Sequence, residues 1–226
     1  MRWAIVRFPG ANCDEDARFA LEKAGIRAEF VWHTERDLRG FDGVFLPGGF
    51  SYGDYLRAGA LAAKSPVMEA VRRFAEEGRY VVGVCNGFQI LCETGLLPGT
   101  LMRNTHLTFN CHDVYLRVET TTTPFTRNYS KGQIVNFPIA HMEGNYFADD
   151  STLKRLEDQG QIAFRYCTPE GKITPDANPN GAQHNIAGIT NEQGTILGLM
   201  PHPERHCDRL TGGIDGIALF EGLLAA

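Results

Sequence analysis

The sequence predicts an α/β protein: a doubly wound, mostly parallel sheet with helices on both faces and an added antiparallel section. Three observations predict it. Short apolar runs alternate with helical repeats through the first half, the βαβ rhythm of a parallel sheet. After Gly99 the texture changes to apolar–polar alternation, as in half-exposed antiparallel strands. No linker, internal repeat or low-complexity tract interrupts the 226 residues, so one domain over residues 1–226 is expected.

The elements follow in order. Residues 3–8 read as the first strand. Asn12 is placed to cap a helix, with Glu15 completing a capping box. Ala17, Ala20, Leu21 and Ala24 then recur at helical spacing until Gly25 stops them. Residues 28–32 and 43–46 give the next two strands. Ser65-Pro66 opens a helix whose buried stripe is Val67, Ala70, Val71 and Phe74, ending at Gly78. The apolar run from Tyr80 stops at Cys85, and residues 86–94 continue as a helix.

In the second half, Val114, Leu116 and Val118 alternate with Tyr115, Arg117 and Glu119. Residues 133–141 read as another strand and 152–159 as a short surface helix. Residues 186–190 and 195–200 flank Asn191-Glu-Gln-Gly194 as a hairpin. The Pro-, Gly- and Asn-rich stretch 168–184 is expected to be loop.

Composition narrows the function classes. A formal net charge of -5 gives no electrostatic reason for binding nucleic acid or an anionic membrane. The apolar runs fall far short of the ~20 residues of a membrane span. No basic, apolar-cored leader opens the chain, so a cytoplasmic location is the expectation. Cys13, Cys85, Cys92, Cys111, Cys167 and Cys207 are scattered, which reads as free thiols. No C-x-x-C occurs, and His202-Pro-Glu204-Arg-His206-Cys207 lacks the Pro-Cys-x-x-Cys half of a zinc deaminase. No metal is expected.

The chemistry concentrates at Gly83-x-Cys85-x-Gly87. A buried strand that ends in a Gly-flanked nucleophile and turns into a helix is the cysteine form of a nucleophile elbow. The glycines give a strained turn the backbone room it needs. A helix N-terminus also favours a thiolate. A lone buried Cys would more often be inert packing, the reading kept for Cys92. Pro201-His202-Pro203-Glu204 supplies a base and an orienting acid. On extended backbone residues 202 and 204 point the same way, and the prolines stiffen the imidazole's support. The bland alternative is a Pro-rich loop with a charged tip.

Pro47-Gly48-Gly49-Phe50-Ser51-Tyr52-Gly53-Asp54 lacks the glycine spacing of a dinucleotide site and the Gly-Lys-Ser of a Walker loop. It suits an exposed backbone N–H: Gly49 N–H and Asn86 N–H are the expected oxyanion donors. Both loops belong beyond the carboxyl ends of parallel strands.

Gly-Val-Cys85-Asn-Gly-Phe-Gln89 with Pro-His202-Pro-Glu204 resembles the class I (triad) glutamine amidotransferases. The likeness extends through Phe8-Pro-Gly-Ala-Asn12, the residue 47–57 stretch, Arg103-Asn104, Ala140-His-Met-Glu-Gly144 and Ile186-Ala-Gly188. Phe50 and Phe88 stand where most of the class carries Pro and His, as in the glutaminase subunits of phosphoribosylformylglycinamidine synthases. The resemblance implies Cys85 as nucleophile, His202 as base and Glu204 as its partner. It implies glutamine held by Gly48, Gln89 and the backbone of His141, Met142 and Glu143. Met142 departs from the family's Gly, and Thr108 from a basic residue before Phe109. The chain has no visible ATP site, so the resemblance implies no cofactor here and places ATP and Mg2+ in a large synthetase subunit. Ammonia would pass to that subunit, which makes the amidine of purine biosynthesis with a small accessory subunit. Tyr52 and Tyr55, beside Arg57, are the expected exposed anchors for it. The alternatives are a free-standing cysteine hydrolase or chaperone-like relative on this fold, or a catalytically silent scaffold subunit.

Overall fold

The computed structural model describes residues 1–224. Its first half comprises β1 (Arg2–Arg7), α1 (Asp14–Lys23), β2 (Arg27–Trp32), β3 (Gly43–Leu46), α2 (Pro66–Glu76), β4 (Tyr80–Val84) and α3 (Asn86–Glu93). Then come β5 (Thr100–Met102), β6 (Asn110–Val118), β7 (Ile134–His141), β8 (Asn145–Phe147), α4 (Asp150–Asp158) and β9 (Ile162–Cys167). β10 (Ile186–Thr190), β11 (Ile196–Leu199) and α5 (Ile217–Leu223) complete the order.

One nine-stranded sheet runs β2-β1-β3-β4-β11-β10-β9-β6-β7, and β5 pairs with β8 separately. β2, β1, β3, β4 and β11 are parallel, and every pairing from β11 to β7 is antiparallel. The added section is therefore as extensive as the parallel one. Strand order reverses direction at β1, so right-handed crossovers carry α1 and α2 to opposite faces. The four strands β1, β3, β4 and β11 end side by side at one edge.

The local chemistry explains the elements. Trp3, Ala4, Ile5 and Val6 are all buried, as a strand covered on both faces requires. α2 starts at Pro66 and buries Val67, Ala70, Val71 and Phe74. Its valines and phenylalanine contribute about 1.5–3 kcal/mol each on full burial. The expected Asn12–Glu15 capping box does not form. α1 begins at Asp14 after Cys13, with no side-chain cap. Glu15 is instead held by Arg7 and Arg18, each at 2.6 Å. Three acidic residues in the first turn serve the helix dipole in place of the cap. Four elements, β5, β8, β9 and the short C-terminal α5, have signals too weak for the sequence to predict. β9 is buried on both faces and shows no alternation, and β5 and β8 are only three residues each.

The antiparallel half curls back over the carboxyl edge of the parallel half. β7 lies four places from β11 in the sheet, yet His202 N–H, just after β11, donates to Pro138 O of β7 at 2.8 Å. His206 Nδ1 and Asn136 O, 2.7 Å apart, repeat the link. This loop covers the free edge of β7 and brings the two halves together at one place.

α3 approaches the sheet closely through glycines. A Cβ on Gly87 would lie 1.9 Å from Leu46 O, one on Gly83 2.6 Å from Gly87 O, and one on Gly198 2.1 Å from the Phe88 ring. Gly83 and Gly198 are paired across β4 and β11 directly under the helix. Gly87→Ala is expected to lower the unfolding free energy by about 3 kcal/mol or more through this clash. Gly78→Ala, at φ +76 with nothing within 4 Å, is expected to cost only about 1–2 kcal/mol of left-handed strain. Urea unfolding of both variants checks the difference, and equal losses would show that α3 does not depend on the close approach.

Candidate active site

Cys85 sits between β4 and α3 at φ 51, ψ -106, a conformation rare for a residue with a Cβ. Such strain costs on the order of 1–3 kcal/mol and persists only where the surroundings impose it. Here Cys85 N–H donates to Leu199 O at 2.7 Å and Gln89 N–H donates to Cys85 O at 3.1 Å. The turn pushes the thiol toward the loop after β11, 3.7 Å from Ala140 O.

His202 and Glu204 meet it there. His202 Nδ1 lies 2.6 Å from Glu204 Oε1, and both side chains are essentially without solvent. A carboxylate only accepts, so Nδ1 carries the proton and Nε2 is left for the thiol side. Among the described residues, His202 Nε2 and Glu204 Oε2 make no hydrogen bond. Burial alone pushes the imidazole pKa down, but the Glu204 carboxylate and Cys85 outweigh it, and the net shift is upward. Gly48 makes the meeting possible: a Cβ there would stand 2.6 Å from His202 Cε1 and 3.4 Å from Cys85 Cβ.

The oxyanion candidates lie on either side. Asn86 N–H is one of the first-turn donors of α3 that no helical carbonyl reaches. Gly49, at φ +143, bridges to Ala11, and it is the Phe50 N–H that makes the bond, to Gly10 O at 3.0 Å. Cys13 N–H donates to Gly48 O and Tyr52 N–H to Pro9 O, so the loops after β1 and β3 are laced together.

A cavity of about 210 Å³ opens beside the thiol, walled by Gly49, Gln89, His141, Met142 and Glu143. Asp54 and Arg103 line it as well, two residues to which the sequence alone assigns no role. Gln89 is committed to its wall: its Nε2 donates to Glu143 O at 2.7 Å and its Oε1 accepts from Asn86 Nδ2 at 2.9 Å. His141 is buried and neutral, its pKa pushed down to about 3 by burial and then by His202. Ala182 N–H donates to Asn180 Oδ1, which turns the Asn180 amide nitrogen onto His141 Nε2 at 3.0 Å. The His141 proton is therefore on Nδ1, which has no partner among the described residues. Tyr52 is not an exposed anchor. Its hydroxyl lies 2.8 Å from both His33 Nδ1 and Ser65 Oγ, tying the loop inward, whereas Tyr55 is 74% exposed.

Cys13, which the sequence reads only as one of six free thiols, also lies beside the triad. Its thiol, His202 and Glu204 bring donor atoms within 4.8 Å of one another, a Cys/His/carboxylate set of the kind zinc takes. Arg205 Nη2 already donates to the Cys13 sulfur at 3.1 Å. Burial, then Glu204, pushes the Cys13 thiol well up, so it stays protonated. His206 and Cys207 point elsewhere, to Asn136 O and Pro203 O.

Residues 1–214 match the family model of the CobB/CobQ-like glutamine amidotransferase domain. The phosphoribosylformylglycinamidine synthase subunit PurQ of Thermus thermophilus is 70% identical over 224 residues, covering 99% of this chain and 98% of its own. The protein of the same name from Nitrobacter hamburgensis is 56% identical over 227 residues, covering 100% and 97%. A chain in the structure of PurLQS from Thermotoga maritima superposes with a TM-score of 0.89 at 41% identity, covering 99% of this chain and 97% of that one. The chain belongs to the PurQ family of class I glutamine amidotransferases.

The cavity wall at residues 141–144 is held by a side chain the sequence marked only as part of a resemblance. Asn104 is fully buried; its Nδ2 donates to His141 O at 3.0 Å and Thr108 O at 2.9 Å, and its Oδ1 accepts Gly144 N–H at 3.1 Å. Asn104→Ala strands a buried carbonyl and a buried N–H. The expected loss is about 3 kcal/mol of unfolding free energy. Chemical denaturation measures it, and a loss below 1 kcal/mol would mean that Asn104 does not hold this wall.

Proposed function

We propose that this chain is the glutaminase subunit of a phosphoribosylformylglycinamidine synthase in purine biosynthesis, hydrolysing L-glutamine at Cys85 and delivering ammonia to an ATP-using partner. The observation that carries the reading is the buried 2.6 Å His202–Glu204 bond beside a thiol held on a strained elbow. Family membership supports it independently.

In this mechanism His202 takes the Cys85 proton and the thiolate sulfur attacks the glutamine carboxamide carbon. The tetrahedral oxyanion faces Gly49 N–H and Asn86 N–H. Collapse breaks the C–N bond, His202 gives its proton to the leaving nitrogen, and ammonia departs from a glutamyl thioester. Water, deprotonated by the same imidazole, then releases glutamate. Glu204 holds the ring and stabilises its charged form throughout. Gly48, Gln89 and the 141–143 backbone shape the glutamine site.

The chain needs no cofactor of its own for these steps. In this reading ATP and Mg2+ belong to a large synthetase subunit, and a small accessory subunit completes the complex; the similar Thermotoga maritima chain occurs in a structure of PurLQS. Tyr55 and Leu56, at 74% and 89% exposure, are two adjacent apolar side chains offered to that partner beside the cavity. No helix among the described residues is long and apolar enough to cross a membrane, and a cytoplasmic location fits the pathway.

Cys85→Ala is expected to abolish glutamine-dependent amidine formation in the assembled complex and to leave the ammonia-dependent reaction intact. Loss of both in a well-assembled complex would sink this division of labour. Glu204→Gln is expected to lower kcat for glutamate release by roughly 10²–10⁴. It should also slow iodoacetamide labelling of Cys85 at pH 7 at least about tenfold, because the imidazole loses the carboxylate that keeps it charged. An unchanged labelling rate would remove Glu204 from the charge relationship.

A further inference from the structure

The cavity beside Cys85 carries both signs of charge. Asp54 and Glu143 face it together with Arg103, whose Nε lies 3.6 Å from Glu143 Oε1. Glu143 is spoken for: Oε1 faces Arg103 and Oε2 accepts Ala58 N–H at 3.2 Å. Asp54 is not. Its Oδ1 is shut off from solvent and has no hydrogen-bond partner among the described residues. A carboxylate oxygen left in that state is costly unless something in the cavity answers it. On the same wall the His141 Nδ1–H is a second buried polar group without a partner, in a side chain only 3% exposed.

The backbone imposes this placement. Tyr52, Asp54 and Leu56 all take left-handed conformations, at φ 55, 53 and 71, in a five-residue span where only Gly53 is free to do so. Strain repeated at alternate residues, with the Tyr52 hydroxyl anchored inward, turns the Asp54 side chain into the cavity rather than outward with Tyr55. Burial, then the neighbouring Glu143, pushes the Asp54 carboxyl up to about 6, so it is charged at neutral pH.

We propose that Asp54 is a specificity-determining residue that reads the α-ammonium group of the amino-acid substrate, with Arg103 facing its α-carboxylate. The inference rests on the reading of Cys85 as a glutaminase nucleophile and adds the part of the substrate that the triad cannot recognise. A carboxamide alone does not distinguish glutamine from other primary amides. An acceptor and a cationic donor lining the same cavity as the thiol distinguish an α-amino acid from a simple amide.

The test compares L-glutamine with 4-carbamoylbutanoate, the same molecule without its amino group, in the complex with the synthetase partner. Asp54→Asn is the variant of choice, since Asn tolerates the left-handed backbone and keeps the shape. For L-glutamine the expected result is a rise in KM on the order of 10–100-fold with kcat within about threefold. For 4-carbamoylbutanoate kcat/KM should stay within about twofold of wild type, so the preference for the amino acid collapses. Asp54→Glu, which restores the charge, is expected to recover part of that preference. Equal losses on both substrates would assign Asp54 a structural role and overturn the proposal, as would an unchanged preference. A wild-type complex inactive on both substrates would overturn the reading of Cys85 itself, and this inference with it.

Discussion

The close approach of α3 to the sheet is the constraint from which the site follows. With Gly83 and Gly198 under the helix and Gly87 against Leu46 O, β4 can turn into α3 within one residue. That residue is Cys85, and the abruptness of the turn gives it its positive φ. A bulkier floor would lift the helix, relax the elbow and draw the thiol back toward ordinary packing. The strain at Cys85 is thus offset by packing below it, as strained functional residues generally require.

The second constraint is electrostatic and comes from the antiparallel half. A His–Glu pair as deeply buried as His202 and Glu204 is stable only if its backbone is fixed and its charges are satisfied locally. The bond from His202 N–H to Pro138 O fixes the backbone by crossing from one half of the sheet to the other. β7 therefore supports His202 as well as the cavity wall, since the same strand ends at His141. Removing the antiparallel section would leave the elbow intact and the imidazole without a support.

Much of this was legible in the sequence, for identifiable reasons. The parallel half declared itself because its strands are short apolar runs between helices with clear stripes, and residues 43–46 were read to the residue. Cys85, His202 and Glu204 were legible because glycine flanks and i, i+2 spacing are local signals. What stayed hidden depends on closure. Cys13 looks like any scattered thiol until the loops after β1 and β3 are laced together beside His202. Asn104 holds residues some forty positions away, and nothing in its own neighbourhood announces that. The Asn12 cap failed for a related reason. The pairing of Arg7 with Glu15 takes the carboxylate a capping box needs, and the helix starts at Asp14 with Cys13, not Asn12, in the N-cap place.

The lacing also bears on how a partner acts on the site. Gly49 is gripped from one side by Ala11 and Asn12, where a Cβ would lie 2.7 Å from Asn12 N and 2.8 Å from Ala11 Cα. A loop held by cross-strand bonds at Phe50 and Tyr52 is a poor hinge. The stretch just beyond is different: Tyr55 and Leu56 project into solvent, and Arg57 meets Glu93 at the far end of α3. A protein docking on Tyr55 and Leu56 would press on the backbone that orients Asp54 before it disturbs Gly49. Coupling to a docked protein is then better carried through Asp54 than through Gly49, because only Asp54 stands on a segment with exposed, strained residues to move.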